Sequence, residues 1–406
     1  MASDAQAPDR FEQAKALFIE GVDLFESGRF EPAEQRFVAS LELLPGRVST
    51  LVNLAAVRLK LGRPEDALAV TDQVLAVAPD DLDAWLHRGA ALSLLGRHAQ
   101  ALASHDRVLA LDAHRAPTWL HRGQALQHLD RHEEALVSYD RALQIDATLA
   151  QAWTHRGSIL RDMKRLDEAA TAFRRAIEHG GDAELNGYYL AAVGASAAPP
   201  TAPGHYVETL FDDYAGSFDE HLVRVLGYQA HAVLAGHLAE LGRARFRSAL
   251  DLGCGTGLCG PLVKPLVQHL VGVDLSSQML EKAAAHGVYD ELVHADIAQH
   301  LRTSVARHDL VLAADVFIYV GDLLPVFEAL RDVIDTEGVF CFSAELASDE
   351  GMDFELLPSL RYAHSQRYVR ELAARFGFEV AKWVQRPIRE EQSQPIEGFF
   401  AYLMRR

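Results

Sequence analysis

The residues best suited to chemistry lie in Ala249-Leu250-Asp251-Leu252-Gly253-Cys254-Gly255-Thr256-Gly257 of this 406-residue chain. An apolar run carries one acid, Asp251, into three alternate glycines, and Leu270-Val271-Gly272-Val273 runs into a second acid, Asp274. Strand, glycine turn, helix, strand and acid outline a βαβ unit that binds a nucleoside. The glycines let the backbone pass close under a ligand. A dinucleotide site spaces its glycines G-x-G-x-x-G, so that pyrophosphate meets the helix N-terminus. Leu258 stands where the last of those glycines belongs. A carboxylate at Asp251 suits a cationic ligand with an ammonium group and opposes pyrophosphate.

Further strands must surround this unit. His294-Ala295-Asp296-Ile297 closes a third strand, His308 to Asp315 forms a fourth, and Gly338 to Ser343 a fifth. Phe376 to Val380 and Gly398 to Leu403 supply two more. The order predicts a doubly wound, seven-stranded, mostly parallel Rossmann-like sheet whose last strand is antiparallel. Asp296 and Asp315 have a plainer reading as caps of the helices that follow.

Asp251 with Gly253, Gly255 and Gly257, then Asp274 and this ordered set of strands, resemble class I S-adenosylmethionine-dependent methyltransferases from about Tyr206 to Arg406. The resemblance implies S-adenosylmethionine as cofactor. It implies that Asp274 binds the ribose hydroxyls, that Met279 packs near the adenine and that Asp296 accepts from the adenine amino group. Leu275, Ile297 and Asp315 complete the implied cofactor-binding set. Tyr206 to Leu222 resembles the aromatic helix that lids the cofactor in many small-molecule methyltransferases. Tyr206, Tyr214 and Phe218 would then shield the site; the rival reading is an amphipathic docking helix. This stretch most resembles a bacterial group of repeat-containing methyltransferases. Methyl transfer needs alignment and a dry pocket, and a base only when the acceptor must lose a proton. His364 is the first candidate base, because an imidazole titrates near neutrality. Asp315 and Tyr319 are the others in the catalytic set, with Glu345 also near the methyl. Asp315-Val316-Phe317-Ile318-Tyr319 replaces the N-P-P-Y of amino-group methylators. No spacing of metal ligands is present, so no metal is expected.

Ahead of this domain the chain repeats. Trp85-Leu86-His87-Arg88-Gly89 recurs at Trp119 and, as Trp-Thr-His-Arg-Gly, at Trp153, each 34 residues on. An alanine follows each glycine at a fixed distance: Ala101, Ala135 and Ala169. The same frame pairs Gly21 with Ala33 and Ala55 with Ala67, and Pro45 and Pro79 close the first two units. The pattern resembles the tetratricopeptide repeat, five helix pairs stacked into a superhelix. The resemblance implies a groove for a protein or peptide, with Asn53, His87, His121 and His155 at one equivalent position along it. The plainer reading is surface residues copied by duplication. The arginines Arg88, Arg122 and Arg156 read as packing and solvated residues.

Composition bounds the rest. A net charge of -18 opposes nonspecific nucleic-acid or anionic-membrane binding. The three cysteines, Cys254, Cys259 and Cys341, read as small buried apolar residues in a reducing compartment. No apolar run is long enough to cross a bilayer and Met1 to Arg10 lacks a signal-peptide core, so a cytoplasmic protein is expected. Gly194 to Gly204 has linker composition. The expected organisation is a flexible N-terminus at 1–13, repeats with a capping helix at 14–194, a linker at 195–205 and the methyltransferase domain at 206–406. The expected function is S-adenosylmethionine-dependent methyl transfer, with the repeats recruiting a protein or peptide. The alternatives are a non-catalytic, ligand-binding scaffold and a small-molecule methyltransferase that uses its repeats for assembly. A nicotinamide oxidoreductase is disfavoured by Leu258.

Overall fold

The computed structural model describes residues 7–216, 218, 227–243, 245–391 and 394–406. The chain divides into two compact units, Met1–Asn186 and Gly187–Arg406.

The first unit is helical, α1 Ala7–Glu26, α2 Phe30–Leu43, α3 Val48–Lys60, α4 Pro64–Val77, α5 Leu82–Leu94, α6 His98–Leu111, α7 Ala116–Gln127, α8 His132–Ile145, α9 Ala150–Asp162 and α10 Leu166–Glu178. These are five antiparallel pairs in the frame of the repeat. Each pair closes where the first helix carries a small residue. A methyl group at Gly21, Gly89, Gly123 or Gly157 would lie 2.5–2.6 Å from the ring of Phe37, His105, Tyr139 or Phe173. Overlap of that kind is destabilising, so the glycine and the ring specify one another. Each tryptophan braces its own helix: Trp85, Trp119 and Trp153 donate Nε1–H to the carbonyls of Pro79, Ala113 and Ala147 at 2.8–2.9 Å. Helix α1 runs from Ala7, inside the expected N-terminal segment, and Arg47 lies over the Phe11 ring at 5.6 Å. Residues 1–6 lie outside the described residues.

The division between units falls inside α11, Ala183–Ala192. The capping helix therefore shares its residues between both units, and the boundary precedes the expected one at 194. The segment expected as a linker makes hydrogen bonds of its own. Pro200 O accepts from Gly321 and Asp322 N–H at 2.9 Å each, and Ala202 N–H donates to Tyr319 O at 2.9 Å. Tyr362 Oη donates to Pro199 O at 2.8 Å. Prolines leave their carbonyls free to accept, and these bonds strap the segment onto the second unit.

The second unit contains α12 Gly204–Tyr214, α13 Ala230–Leu238, β1 Phe246–Leu252, α14 Gly260–Val263, β2 Val267–Asp274, α15 Ser277–Ala285, β3 Glu291–His294, α16 Ile297–Thr303, β4 His308–Ala313, α17 Leu324–Val333 and β5 Ile334–Leu346. It continues with β6 Phe354–Leu356, β7 Tyr362–His364, α18 Gln366–Arg375, β8 Phe378–Gln385, β9 Arg389–Glu391, β10 Gln394–Ile396 and β11 Gly398–Arg405. The main sheet runs β3-β2-β1-β4-β5-β11-β8, parallel through β5, with β11 antiparallel to both neighbours. This is the expected doubly wound sheet. The short strands β6 and β7 extend it beside β5, and β9 with β10 forms a separate hairpin. Both faces are buried. Along β5 and β11, Phe340, Phe342, Phe399 and Leu403 pack on one side, and Cys341, Phe400 and Tyr402 on the other. Alternate residues serve opposite cores, which is why these strands read as continuous apolar runs. Strand order reverses between β2-β1 and β4, so a crevice opens outside their carboxyl ends.

Candidate functional site

That crevice holds the glycine turn. After β1 the chain takes positive φ at Gly253, Gly255 and Gly257, 61°, 55° and 88°, a conformation in which glycine pays no steric cost. Gly255 N–H donates to Asp274 Oδ2 at 2.8 Å, and Ser276 N–H to its Oδ1 at 2.9 Å. Asp274 is thus fixed by the turn it faces. Asp251 is buried, and burial pushes its carboxyl up to about 7.

A cavity of about 390 Å³ lies over this turn, within the range of small-molecule sites. Asp251, Gly253, Gly255 and Asp274 line it, as do Leu275, Asp296 and Ile297. Tyr214, Phe218, Asp315 and Tyr319 line it too. Met279 is fully buried. At Gly257, whose own Cβ would meet Ala283 and Tyr289, the constraint is packing inside the fold. Tyr206 packs on the Tyr188 and Tyr189 rings. None of the three is among the lining residues. Within α12, Val207, Leu210, Phe211 and Tyr214 face the cavity at helical spacing. The same helix docks: Asp212 Oδ1 accepts from Ser276 Oγ at 2.5 Å. The described part of the helix thus both lines the cavity and bonds to the start of α15. Ser217 and 219–222 lie outside the described residues.

The first-choice base is a further correction. His364 is fully buried and outside the lining. Its Nε2–H donates to the carbonyls of Val320 and Gly321 at 2.9 Å each. Burial lowers its pKa to about 4, so it is a neutral structural imidazole. Asp315, at φ 61°, lines the cavity with both oxygens 3.2 Å from Arg389 Nη1. Tyr319 lines the cavity and burial pushes its phenol up to about 12. Asp296 does cap α16, accepting from Gln299 N–H at 2.8 Å, and also faces the cavity.

In the first unit, Asn53 Nδ2 donates to Ser49 O of its own helix at 2.8 Å. His121 pairs with Gln124 at 3.0 Å, and Gln124 with His155 at 2.9 Å. His87 is half-buried, and burial lowers its pKa. The arginines are structural: Arg88, Arg122 and Arg156 pair with Asp72, Asp106 and Asp140 at 2.7–2.8 Å.

Comparison with known proteins follows this division. Residues 250–342 match the model of a methyltransferase domain. Residues 24–89, 116–149 and 150–178 match models of the tetratricopeptide repeat. The chain joins tetratricopeptide repeats to a methyltransferase domain. Among its relatives, the ubiquinone biosynthesis O-methyltransferase of Paraburkholderia phytofirmans is 27% identical over 30% of this chain and 50% of that protein. The malonyl-[acyl-carrier protein] O-methyltransferase of Pseudescherichia vulneris is 30% identical over 41% of this chain and 64% of its own length. The trans-aconitate 2-methyltransferase of Rhizobium rhizogenes is 34% identical over 25% of this chain and 40% of its own. This chain thus spans about half the length of such relatives.

The methyltransferase domain also contains residues that the motif reading missed. Tyr289 Oη donates to Asp251 Oδ2 at 2.7 Å. Its ring lies 2.7–3.1 Å from where Cβ atoms at Gly257, Gly260 and Gly272 would be. The glycine at 272 was the available signal, since a strand glycine marks close approach. Arg389 is almost wholly enclosed and ion-paired to Asp315, Glu345 and Glu391. Glu391 also pairs with Arg361, and both arginines line the cavity. No local pattern marks them, because β4, β5, β7 and β9 meet only in the fold. Cys254, Cys259 and Cys341 are buried, and burial raises their thiols.

The donor set fits a cationic nucleoside. Space is open above Gly255, where a side chain would intrude. Four carboxylates, Asp251, Asp274, Asp296 and Asp315, border the cavity, an array that repels polyphosphate and attracts a cation. Among the described residues no cluster of three or more His, Cys, Asp and Glu forms a metal site, and no helix is long and apolar enough to cross a membrane.

Proposed function

We propose that this chain is an S-adenosylmethionine-dependent methyltransferase whose repeats recruit the protein or peptide that carries or delivers the acceptor. The observation that carries this is the glycine turn locked to Asp274 at the floor of an acid-bordered cavity. Asp274 would hold the ribose hydroxyls, Asp251 the ammonium group, and Asp296 with Ile297 the adenine. When bound, the cofactor supplies an activated methyl group on a sulfonium. The chain's part is alignment and exclusion of water. Val207, Phe211 and Tyr214 of α12 cover the cavity with apolar surface. Tyr319 and the Asp315–Arg389 pair border the space left for an acceptor. Two relatives named as O-methyltransferases support an oxygen acceptor. The relatives named for malonyl-carrier protein and trans-aconitate also support a second reading, a small acceptor taken without the repeats.

Titration calorimetry with S-adenosylmethionine and with NAD tests the proposal. S-adenosylmethionine binds and NAD does not, and Asp274→Ala weakens binding at least tenfold, as expected for loss of charge-assisted hydrogen bonds. Equal binding by wild type and Asp274→Ala would refute it.

A further inference from the structure

The segment from Pro199 to Gly204 is fastened to the chain that follows β4. Pro200 O accepts from Gly321 and Asp322 N–H, and Ala202 N–H donates to Tyr319 O, each at 2.9 Å. Thr201 forms an antiparallel bridge with Val320, and its hydroxyl donates to Tyr319 O at 3.1 Å. At the start of the segment, Tyr362 of β7 donates to Pro199 O at 2.8 Å. A flexible spacer leaves its backbone to water, whereas this one spends its carbonyls and amides on fixed partners.

The fastened segment faces the cavity. Thr201, Ala202 and Gly204 are among the lining residues. Helix α12 starts at Gly204, and Val207 and Phe211 continue the same wall at helical spacing. Ala202 is 4% exposed. The sheet tells which half of the cavity this is. Its strands run in the order β3-β2-β1-β4-β5, with β7 beside β5. Asp296 follows β3, Asp274 ends β2 and Asp251 lies in β1, whereas the segment is bound to the loop after β4 and to β7. A ligand held by those three acids therefore lies on one side of the point where strand order reverses, and the segment lies on the other, against Tyr319.

We propose that residues 199–204 form the acceptor-side wall of the methyl-transfer site, and that Ala202 limits the width of the acceptor. This rests on the methyltransferase reading of the same cavity. Ala202 and Gly204 have no charge and no side-chain hydrogen bond to offer, and the Thr201 hydroxyl is engaged by Tyr319 O. Such a wall selects by shape. Its backbone bonds hold it in place, so it does not retreat from a bulkier molecule. One methylene in an enclosed apolar site changes discrimination by about ten- to two-hundredfold. A larger side chain at 202 occupies the room the acceptor needs, and glycine enlarges that room. The acids on the far side are left as they were.

Ala202→Gly, Ala202→Val and Ala202→Leu in the full chain test this. Each is titrated with S-adenosylhomocysteine and melted. Labelled methyl groups are then transferred from S-adenosylmethionine to fractionated cell extract, and the fraction that the wild type labels is titrated for kcat and apparent KM. All three variants keep the affinity for S-adenosylhomocysteine. Apparent KM rises about tenfold with valine and about a hundredfold with leucine, kcat changes less, and the glycine variant labels bulkier molecules that the wild type leaves unlabelled. Unchanged transfer by Ala202→Leu overturns the proposal. Loss of S-adenosylhomocysteine affinity in step with transfer also overturns it, because Ala202 then belongs to the cofactor's side. If leucine lowers the melting temperature, glycine and valine decide: an apparent KM that follows melting temperature instead of side-chain volume assigns Ala202 to packing alone. Cofactor binding with no labelled product in any fraction overturns the proposal as well, since the space beside the wall then receives no acceptor. Absence of cofactor binding by the wild type overturns the methyltransferase reading beneath it instead.

Discussion

Asp251 and Tyr289 show how one side chain sets the working state of another. Enclosure favours the neutral carboxyl of Asp251 and Asp274 adds like charge, while the Tyr289 hydroxyl favours the anion. Cys254, Cys259 and Tyr228 also face it. A cationic ligand requires the carboxylate. Cofactor affinity therefore rises with pH up to about 7, the value for Asp251, and falls about tenfold per unit below it. Tyr289→Phe removes the hydrogen bond that stabilises the anion. Its affinity at neutral pH drops roughly three- to tenfold and the break moves to higher pH. Calorimetry across the pH range reads both; a break left in place assigns Tyr289 to packing alone.

At the scale of the element, the repeat converts one contact into five variants. Phe37, Tyr139 and Phe173 face the glycines of their units, and Thr71 holds the equivalent place in sequence after Ala55. His105 takes the same place against Gly89, with neither ring nitrogen hydrogen-bonded and burial lowering its pKa to about 4. The sign follows from the direction of the shift. Between the ordinary value near 6.5 and about 4, the unfolded chain takes up a proton that the folded repeat refuses. Stability is thus full above that window and is lost as pH falls through it. Phe fits this place in two sister repeats and has no polar atoms to bury. His105→Phe stabilises the repeats by about 1–3 kcal/mol near pH 7.5, and by about 2 kcal/mol more at pH 5. Urea midpoints at the two pH values measure this; an equal gain at both would show that His105 does not titrate in the window. Helix α12 carries a comparable double duty, with Asp212 docking it on α15 while its apolar face covers the cavity.

At the scale of the molecule, the place where the chain is cut decides what a truncation reports. Tyr188 belongs to the second unit, donates to Leu360 O at 2.6 Å and packs near Tyr362 at 6.2 Å, next to Arg361. Removal of residues 1–186 keeps these contacts. The remaining chain binds S-adenosylhomocysteine like the whole protein and loses transfer to protein acceptors, if the repeats recruit them. Removal of 1–194 also takes Tyr188 and lowers the melting temperature of the remainder by roughly 5–15 °C. Calorimetry and thermal melts of the two truncations, with labelled transfer to extract, separate recruitment from support. Equal protein transfer with and without 1–186 would end the recruitment proposal.

Much was legible because it is local or periodic. The repeat frame, the glycine turn with Asp274, the strand order and its antiparallel member rest on spacing along the chain, and backbone sterics translate spacing into structure directly. The acid-bordered floor was legible for the same reason, since each acid ends or follows its own strand. Only the tertiary structure decided which polar groups stand alone. His364 reads as a base until burial and its hydrogen bonds to the Val320 and Gly321 carbonyls enclose it, and Asp315 is found ion-paired to Arg389, 74 residues away. Proton affinity depends on burial and on charges brought together by long-range packing, and neither is written in the neighbours along the chain. Arg361 and Arg389 entered the cavity lining by that same convergence.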